Sequence, residues 1–292
     1  GIGGAAGLVI PRAIVSDIYK ASEAIRIYTL LIQIQSISPI AAPLLGGVLL
    51  KLWGWQSIFI ILIIVAVFAL IASFPVIPET LPPEKRSPLS LKTSFQNYWG
   101  ILKNKRFMGF SLSAGLVMGT LFGYISASSF VFMTYFKLSP TVYSIIFAVN
   151  SVGMILAGQL NLYLTKRMSS RQNLAIGFLV HLIFMIALVA AVTAGFNGLW
   201  TVGILLFLAT SSLCLIFGGI TTESMYSVDN SRAGSASALI GVLQYAIGGA
   251  AGMVLGLLHD GTLMPVVWGM GVCSVLAALC WELTSRYSKA GL

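Results

Sequence analysis

Apolar residues run along this chain in long blocks, and polar residues gather in the gaps between them. Nine blocks stand out, at 1–16, 27–51, 56–77, 107–135, 140–164, 173–195, 199–222, 233–258 and 262–284. Eight are about 20 residues or longer, enough for a helix to cross a hydrocarbon layer of roughly 30 Å. Membrane-spanning strands would be about ten residues long and alternate in character; these blocks do neither. The pattern predicts an all-α polytopic membrane protein with nine transmembrane helices. The first block is the shortest and opens on Gly1 rather than methionine. The simplest expectation is a helix truncated upstream, with no signal peptide.

Composition agrees. The 292 residues are 58% hydrophobic and only 9% charged, whereas a soluble domain carries about 25% charged residues. The net charge of +9 first suggests nucleic acid as a partner, but its placement argues otherwise. With the first block running outward to inward, fourteen basic residues fall on the inner side and two, Lys51 and Lys137, on the outer. That asymmetry is a positive-inside signal. It predicts an outer N-terminus, a cytoplasmic C-terminus and a lipid bilayer, not nucleic acid, as the main surroundings. Cys214, Cys273 and Cys280 are isolated and read as small packing residues.

One gap is longer than the rest. Residues 78–106 begin proline-rich and end, from Ser90 to Leu102, with apolar positions at the three-to-four spacing of an amphipathic helix. Such a helix suits the inner membrane surface. It divides the chain into 1–77 with three spans, a linker at 78–106, and 107–292 with six. Many transporters join six-span halves through a cytoplasmic loop. The pattern thus predicts the last three helices of an N-terminal bundle and a complete C-terminal one.

The second block carries Pro39, Pro43, Gly46 and Gly47. Each proline removes a backbone donor and should damage a helix; in a membrane, neighbouring helices can satisfy the freed groups. Glycines let a partner approach closely. The block therefore reads as a kinked helix at a seam, either fixed or bending as a pathway opens.

These residues also carry a resemblance. Ala42-Pro43-Leu44-Leu45-Gly46-Gly47 resembles the antiporter motif GPxxGG of the major facilitator superfamily, with alanine for its first glycine. The stretch "GIGGAAGLVIPRAIVSDIY" resembles the end of that superfamily's fourth span, and "PLLGGVLLKLWGWQSIF", "IPETL" and "AGSASALIGVLQYAIGGAAG", in that order, resemble the bicyclomycin-resistance (Bcr/CflA) drug:proton antiporters. The resemblance covers the chain from span four to span twelve of a twelve-span protein. It implies a bacterial inner-membrane monomer, energised by the proton gradient and without a cofactor. It also places the family's fourth-span arginine and first-span acidic residue upstream of Gly1, so neither is carried over.

Polar residues within spans are the candidates for function. Gln33, Gln35, Tyr124, Asn150, Gln244 and Tyr245 lie at mid-depth in helices that, by the resemblance, line a central cavity. Each also suits a plain interhelical hydrogen bond. Arg12, Asp17 and Arg26, with Lys166, Arg167 and Arg171 in the symmetry-related loop, are candidates for a cytoplasmic gate. His181 reads as a packing residue, and Asp229 with Arg232 as a loop ion pair. No nucleophile motif, phosphate loop or metal-ligand cluster occurs, so neither an enzyme nor a metal site is expected. The expected function is proton-coupled efflux of small amphipathic solutes by alternating access. Export of a sugar or amino acid on the same fold, and a non-transporting sensor or scaffold, are the alternatives.

Overall fold

Side chains that cap backbone groups mark where several helices begin. Asn104 accepts from the N–H groups of Arg106 and Phe107, at 3.0 and 3.1 Å. Ser139 precedes Pro140, which needs no N–H in a first turn, and Ser169 forms a reciprocal cap with Gln172. The structure is a computed structural model and describes residues 2–76 and 91–289. Its helices are α1 (Ile2–Ile18), α2 (Ala21–Trp53), α3 (Gln56–Val76), α4 (Leu91–Leu102), α5 (Lys105–Ser129), α6 (Pro140–Leu164), α7 (Ser170–Thr193), α8 (Leu199–Ser212), α9 (Phe217–Met225), α10 (Ala233–Leu257) and α11 (Met264–Lys289). Among the described residues there is no strand, as the block pattern predicts.

Seven stretches among the described residues are long and apolar enough to cross a membrane: α3, α5 with its C-terminal extension, α6, α7, α8 with α9, α10 and α11. The expected count of nine is therefore not confirmed among the described residues. Block 1–16 falls in α1, whose 17 residues are short of a crossing. Block 27–51 falls in α2, where most side chains from 36 to 51 lie outside the described residues. Positions 77–90, the proline-rich part of the linker, lie outside them too. The expected amphipathic helix is α4. It buries Ile101 and exposes Trp99, over which the Lys103 ammonium sits at 5.2 Å.

Two local features depart from plain α-helix. α5 runs on into a π-helical turn, Phe130–Tyr135, and a 3-10 turn at Leu213–Leu215 separates α8 from α9. The proline-bearing block is helical throughout. α2 is one helix of 33 residues, and its backbone stays helical through Pro39, Ala42, Pro43, Gly46 and Gly47. The prolines do not end it. The side chains of these five motif residues lie outside the described residues. α2 stops instead at Gly54, whose φ of +76° suits a residue without a Cβ.

α5 is the central helix of the second half. A Cβ on Gly115 would come within 3.2 Å of the Leu243 carbonyl on α10; one on Gly123 would reach Leu255 of α10 and Met270 of α11. Gly119, between them, faces both helices as well. This four-residue repeat of glycine lets α10 and α11 pack close to the α5 backbone. Van der Waals contact must do this work, because lipid tails are as apolar as leucine. Two clusters fill the remaining space. One centres on Phe110, Phe178, Ile216 and Trp281, with the rings of Phe178 and Trp281 stacked at 5.1 Å. The other centres on Phe132, Met185, Leu206 and Met270.

The first half packs on the second through α1 and α2. The α1–α2 corner buries Val15, Ala24 and Tyr28 in a cluster with Phe107, Met225 and Ile240. α3 leaves most of its apolar side chains exposed, including Phe59, Ile63, Phe68 and Phe74.

Candidate functional site: a central cavity

α1, α2, α5, α6, α9 and α10 converge on a cavity of about 210 Å³. α1 contributes Arg12, and α2 contributes Ile32 and Gln35. Met118, Leu121, Phe122, Tyr124 and Ile125 come from α5; Phe147, Asn150, Ser151 and Met154 come from α6. Phe217 and Thr221 of α9, with Gln244 and Tyr245 of α10, close it. The walls are aromatic and thioether surface, with amides and hydroxyls set singly among them. That composition suits an amphipathic ligand of moderate size.

Hydrogen bonds and ring contacts fix several of the polar groups. The Asn150 amide donates to the Tyr124 hydroxyl. The Tyr124 ring stacks on Phe147 at 5.9 Å, and Tyr245 meets Phe122 edge-on at the same distance. Arg12 donates from Nη1 to Gln244 Oε1 at 3.1 Å. The Arg12 carbonyl accepts from the Tyr28 hydroxyl, and Ser237 of α10 donates to the Val9 carbonyl at 3.0 Å. α1 is thus laced to α10 where the cavity begins.

Of the six residues expected at a binding site, Gln35, Tyr124, Asn150, Gln244 and Tyr245 line this cavity. Gln33 does not. It is buried between α2 and α6, donating to the Ile155 carbonyl at 3.2 Å and accepting from Gln159 at 3.3 Å. Two positions along a helix turn a side chain by about 200°, which separates Gln33 from Gln35. Asn150 also borders a second hollow of about 400 Å³ between α6 and α8, whose other walls are almost wholly apolar. The central cavity is the candidate site because polar groups converge there.

The six expected gate residues do not form one cluster. Arg12 lines the cavity. Asp17 is half-buried, while Arg26, Lys166 and Arg167 are exposed. The Arg167 guanidinium lies 4.7 Å above the Tyr163 ring. Arg171 pairs with Glu282 of α11 at 3.8 Å, inside its own half rather than across to the first. Asp229 and Arg232 meet through backbone, the Arg232 N–H donating to the Asp229 carbonyl, and not as an ion pair. The contact that does join the halves here is unheralded: the Tyr226 hydroxyl donates to the Tyr19 carbonyl. Burial raises that hydroxyl above the usual tyrosine value, and Glu23 and Asp17 add to the rise.

The family model described as Major Facilitator Superfamily matches residues 1–253. The chain belongs to the Major Facilitator Superfamily. It is a membrane transporter of that superfamily and not an enzyme. It is 31% identical over 283 residues to an uncharacterized MFS-type transporter, YdgK, of Bacillus subtilis, covering 96% of this chain and 70% of YdgK. It is 27% identical over 296 residues to a bicyclomycin resistance protein homolog of Haemophilus influenzae, covering 99% and 73%. The multidrug transporter MdfA of Escherichia coli is 27% identical over 238 residues, covering 80% and 57%. A crystal structure of the superfamily transporter FucP in the outward conformation superposes with a TM-score of 0.74 at 13% identity, over 95% of this chain and 72% of FucP. That likeness establishes the fold.

Within this superfamily fold, two polar networks escaped the sequence reading. Asn161 donates to Thr29 at 3.1 Å and to the Cys214 carbonyl at 3.3 Å, and accepts from Asn173 at 2.6 Å. It links α2, α6, α7 and the break between α8 and α9. His181 is not mere packing. Its Nδ1 lies 2.9 Å from Ser212, its Nε2 2.9 Å from Ser274, and Ser274 lies 3.1 Å from Thr120. An intramembrane polar residue is a usable signal for both, but only the fold shows the partners.

Proposed function

We propose that this chain is the substrate-carrying part of a proton-coupled exporter of small amphipathic solutes, of the bicyclomycin-resistance type. The cavity carries the reading: aromatic walls with single amides can hold many lipophilic shapes while hydrogen-bonding few atoms. Gln35, Tyr124, Asn150, Gln244 and Tyr245 are its binding residues in this reading. Names borne by relatives, a bicyclomycin resistance homolog and multidrug transporters, support it.

With the positive-inside orientation the C-terminus is cytoplasmic, in a bacterial inner membrane, and α1 and α2 share the bilayer with the seven spans. The contacts of the α1–α2 corner with the inner ends of α6, α9 and α10 then lie on the cytoplasmic side. Tyr19 with Tyr226, and Thr29 with Asn161, close that side. Residues 1–77 and 107–292 are the parts that move relative to one another, joined through 78–106. The proton gradient is the energy source, and the unit is a monomer.

The test is drug susceptibility of a pump-deficient bacterium expressing the protein, with and without a protonophore. Resistance to several unrelated compounds, abolished by the protonophore, is the expected result. Unchanged susceptibility despite verified membrane insertion would sink the reading.

A further inference from the structure

Arg12 is the one charged residue on the cavity wall among the described residues. It stands at a junction, lining the main cavity and also an adjoining space of about 50 Å³ beside Tyr28, Gln35 and Thr221. A guanidinium inside a membrane-spanning protein is costly unless its charge is met. Here Gln244 meets one N–H with a neutral oxygen. The described ion pairs both lie elsewhere, on Glu282. Five N–H groups in a planar fork exceed what one amide oxygen accepts.

We propose that Arg12 makes the cavity selective for amphipathic solutes that carry an anionic group, a carboxylate above all. The assignment rests on the export reading and names the substrate class for the same site. An aromatic or aliphatic body packs between Phe122, Phe147 and Met154, while the carboxylate takes paired N–H bonds from Arg12. Gln35 and Gln244 flank the guanidinium and offer further amide donors. A cationic solute meets the reverse situation, with like charge across a poorly solvated space. Charge-assisted hydrogen bonds are roughly twice as strong as neutral ones, so the carboxylate contributes more than an added hydroxyl would.

Three probes with one naphthalene body test this: 2-naphthoate, 2-naphthylmethanol and 2-naphthylmethylammonium. Their binding is titrated calorimetrically to the protein in nanodiscs, with empty nanodiscs correcting for partition into lipid. The expected order is naphthoate first, by roughly ten- to a hundredfold over the alcohol, and the ammonium last. Arg12→Gln should bring naphthoate down to about the alcohol's affinity and lower the alcohol far less. Arg12→Lys should keep a reduced preference. An alcohol or ammonium that binds as well as naphthoate to the unaltered protein overturns the assignment. So does an Arg12→Gln protein that loses naphthoate and alcohol equally, since that marks a structural residue. If Arg12→Gln does not insert, the probe order on the unaltered protein decides. The export reading fails separately: anion preference without protonophore-sensitive resistance leaves Arg12 as an anion site in a different kind of transporter.

Discussion

Arg12 and Gln244 are 232 positions apart in the chain and 3.1 Å apart in the fold. Their bond joins a helix of the first half to one of the second at the edge of the cavity. Replacing Gln244 with leucine leaves the guanidinium without that acceptor. The expected cost is about 1–3 kcal/mol, read as a lower melting temperature in detergent. A second substitution, Arg12→Leu, should recover part of the loss, because neither polar group is then stranded.

Gly158 faces Gln33 so closely that a Cβ there would lie 2.7 Å from the Gln33 Cγ. Gly158→Val should push α2 off α6, at about 1–3 kcal/mol. Export should fall while membrane insertion persists. Cysteines at Thr29 and Asn161, now hydrogen-bonded, should cross-link less readily in that variant.

Asn161 is the hub of a buried amide network. Asn161→Leu strands the Asn173 amide that donates to it, an expected loss of about 1–3 kcal/mol. A double-mutant cycle with Asn173→Leu should give a coupling of about 0.5–3 kcal/mol. Additive losses would show that the two amides do not act together.

His181 ties α7 to Ser212 at one ring nitrogen and to Ser274 of α11 at the other. His181→Phe fills the volume but not the bonds, and should lower the melting temperature. His181→Gln should cost less. Equal losses would assign the residue to shape alone.

Outside the spans, Asp260 accepts from the Thr262 hydroxyl at 2.7 Å and its N–H at 2.8 Å. These bonds hold its carboxyl below the usual value, the hydroxyl contributing most. The folded carboxyl is depressed, so its contribution is present above the unfolded value and fades as pH falls through the folded one. Thr262→Val should move the titration upward, toward the ordinary carboxylate range, by carbon-detected NMR of the side chain.

The helices were legible because lipid leaves the backbone few choices. Blocks 140–164 and 233–258 fall within a residue of α6 and α10, since apolar length alone marks a crossing. α1 and α2 were harder: 17 residues do not mark a span, and prolines that break soluble helices left α2 helical. The cavity was half legible. Intramembrane amides and tyrosines are conspicuous, and Gln35, Asn150 and Gln244 could be picked on cost alone. Gln33 was picked by the same rule and faces the other way, because hydropathy carries no information about which side of a helix meets which neighbour.

The sequence by itself determined that the chain is helical and membrane-embedded, and its motif order pointed to the superfamily. Local length, hydropathy and charge suffice for the first two. Only the tertiary structure decided that Arg12 lines the cavity beside Gln244, that Arg171 pairs within its own half, and that His181 and Asn161 are hubs. Those outcomes depend on rotation about the helix axis and on contacts between residues far apart in the chain. Both are set by packing of whole helices, so no single stretch of sequence holds them.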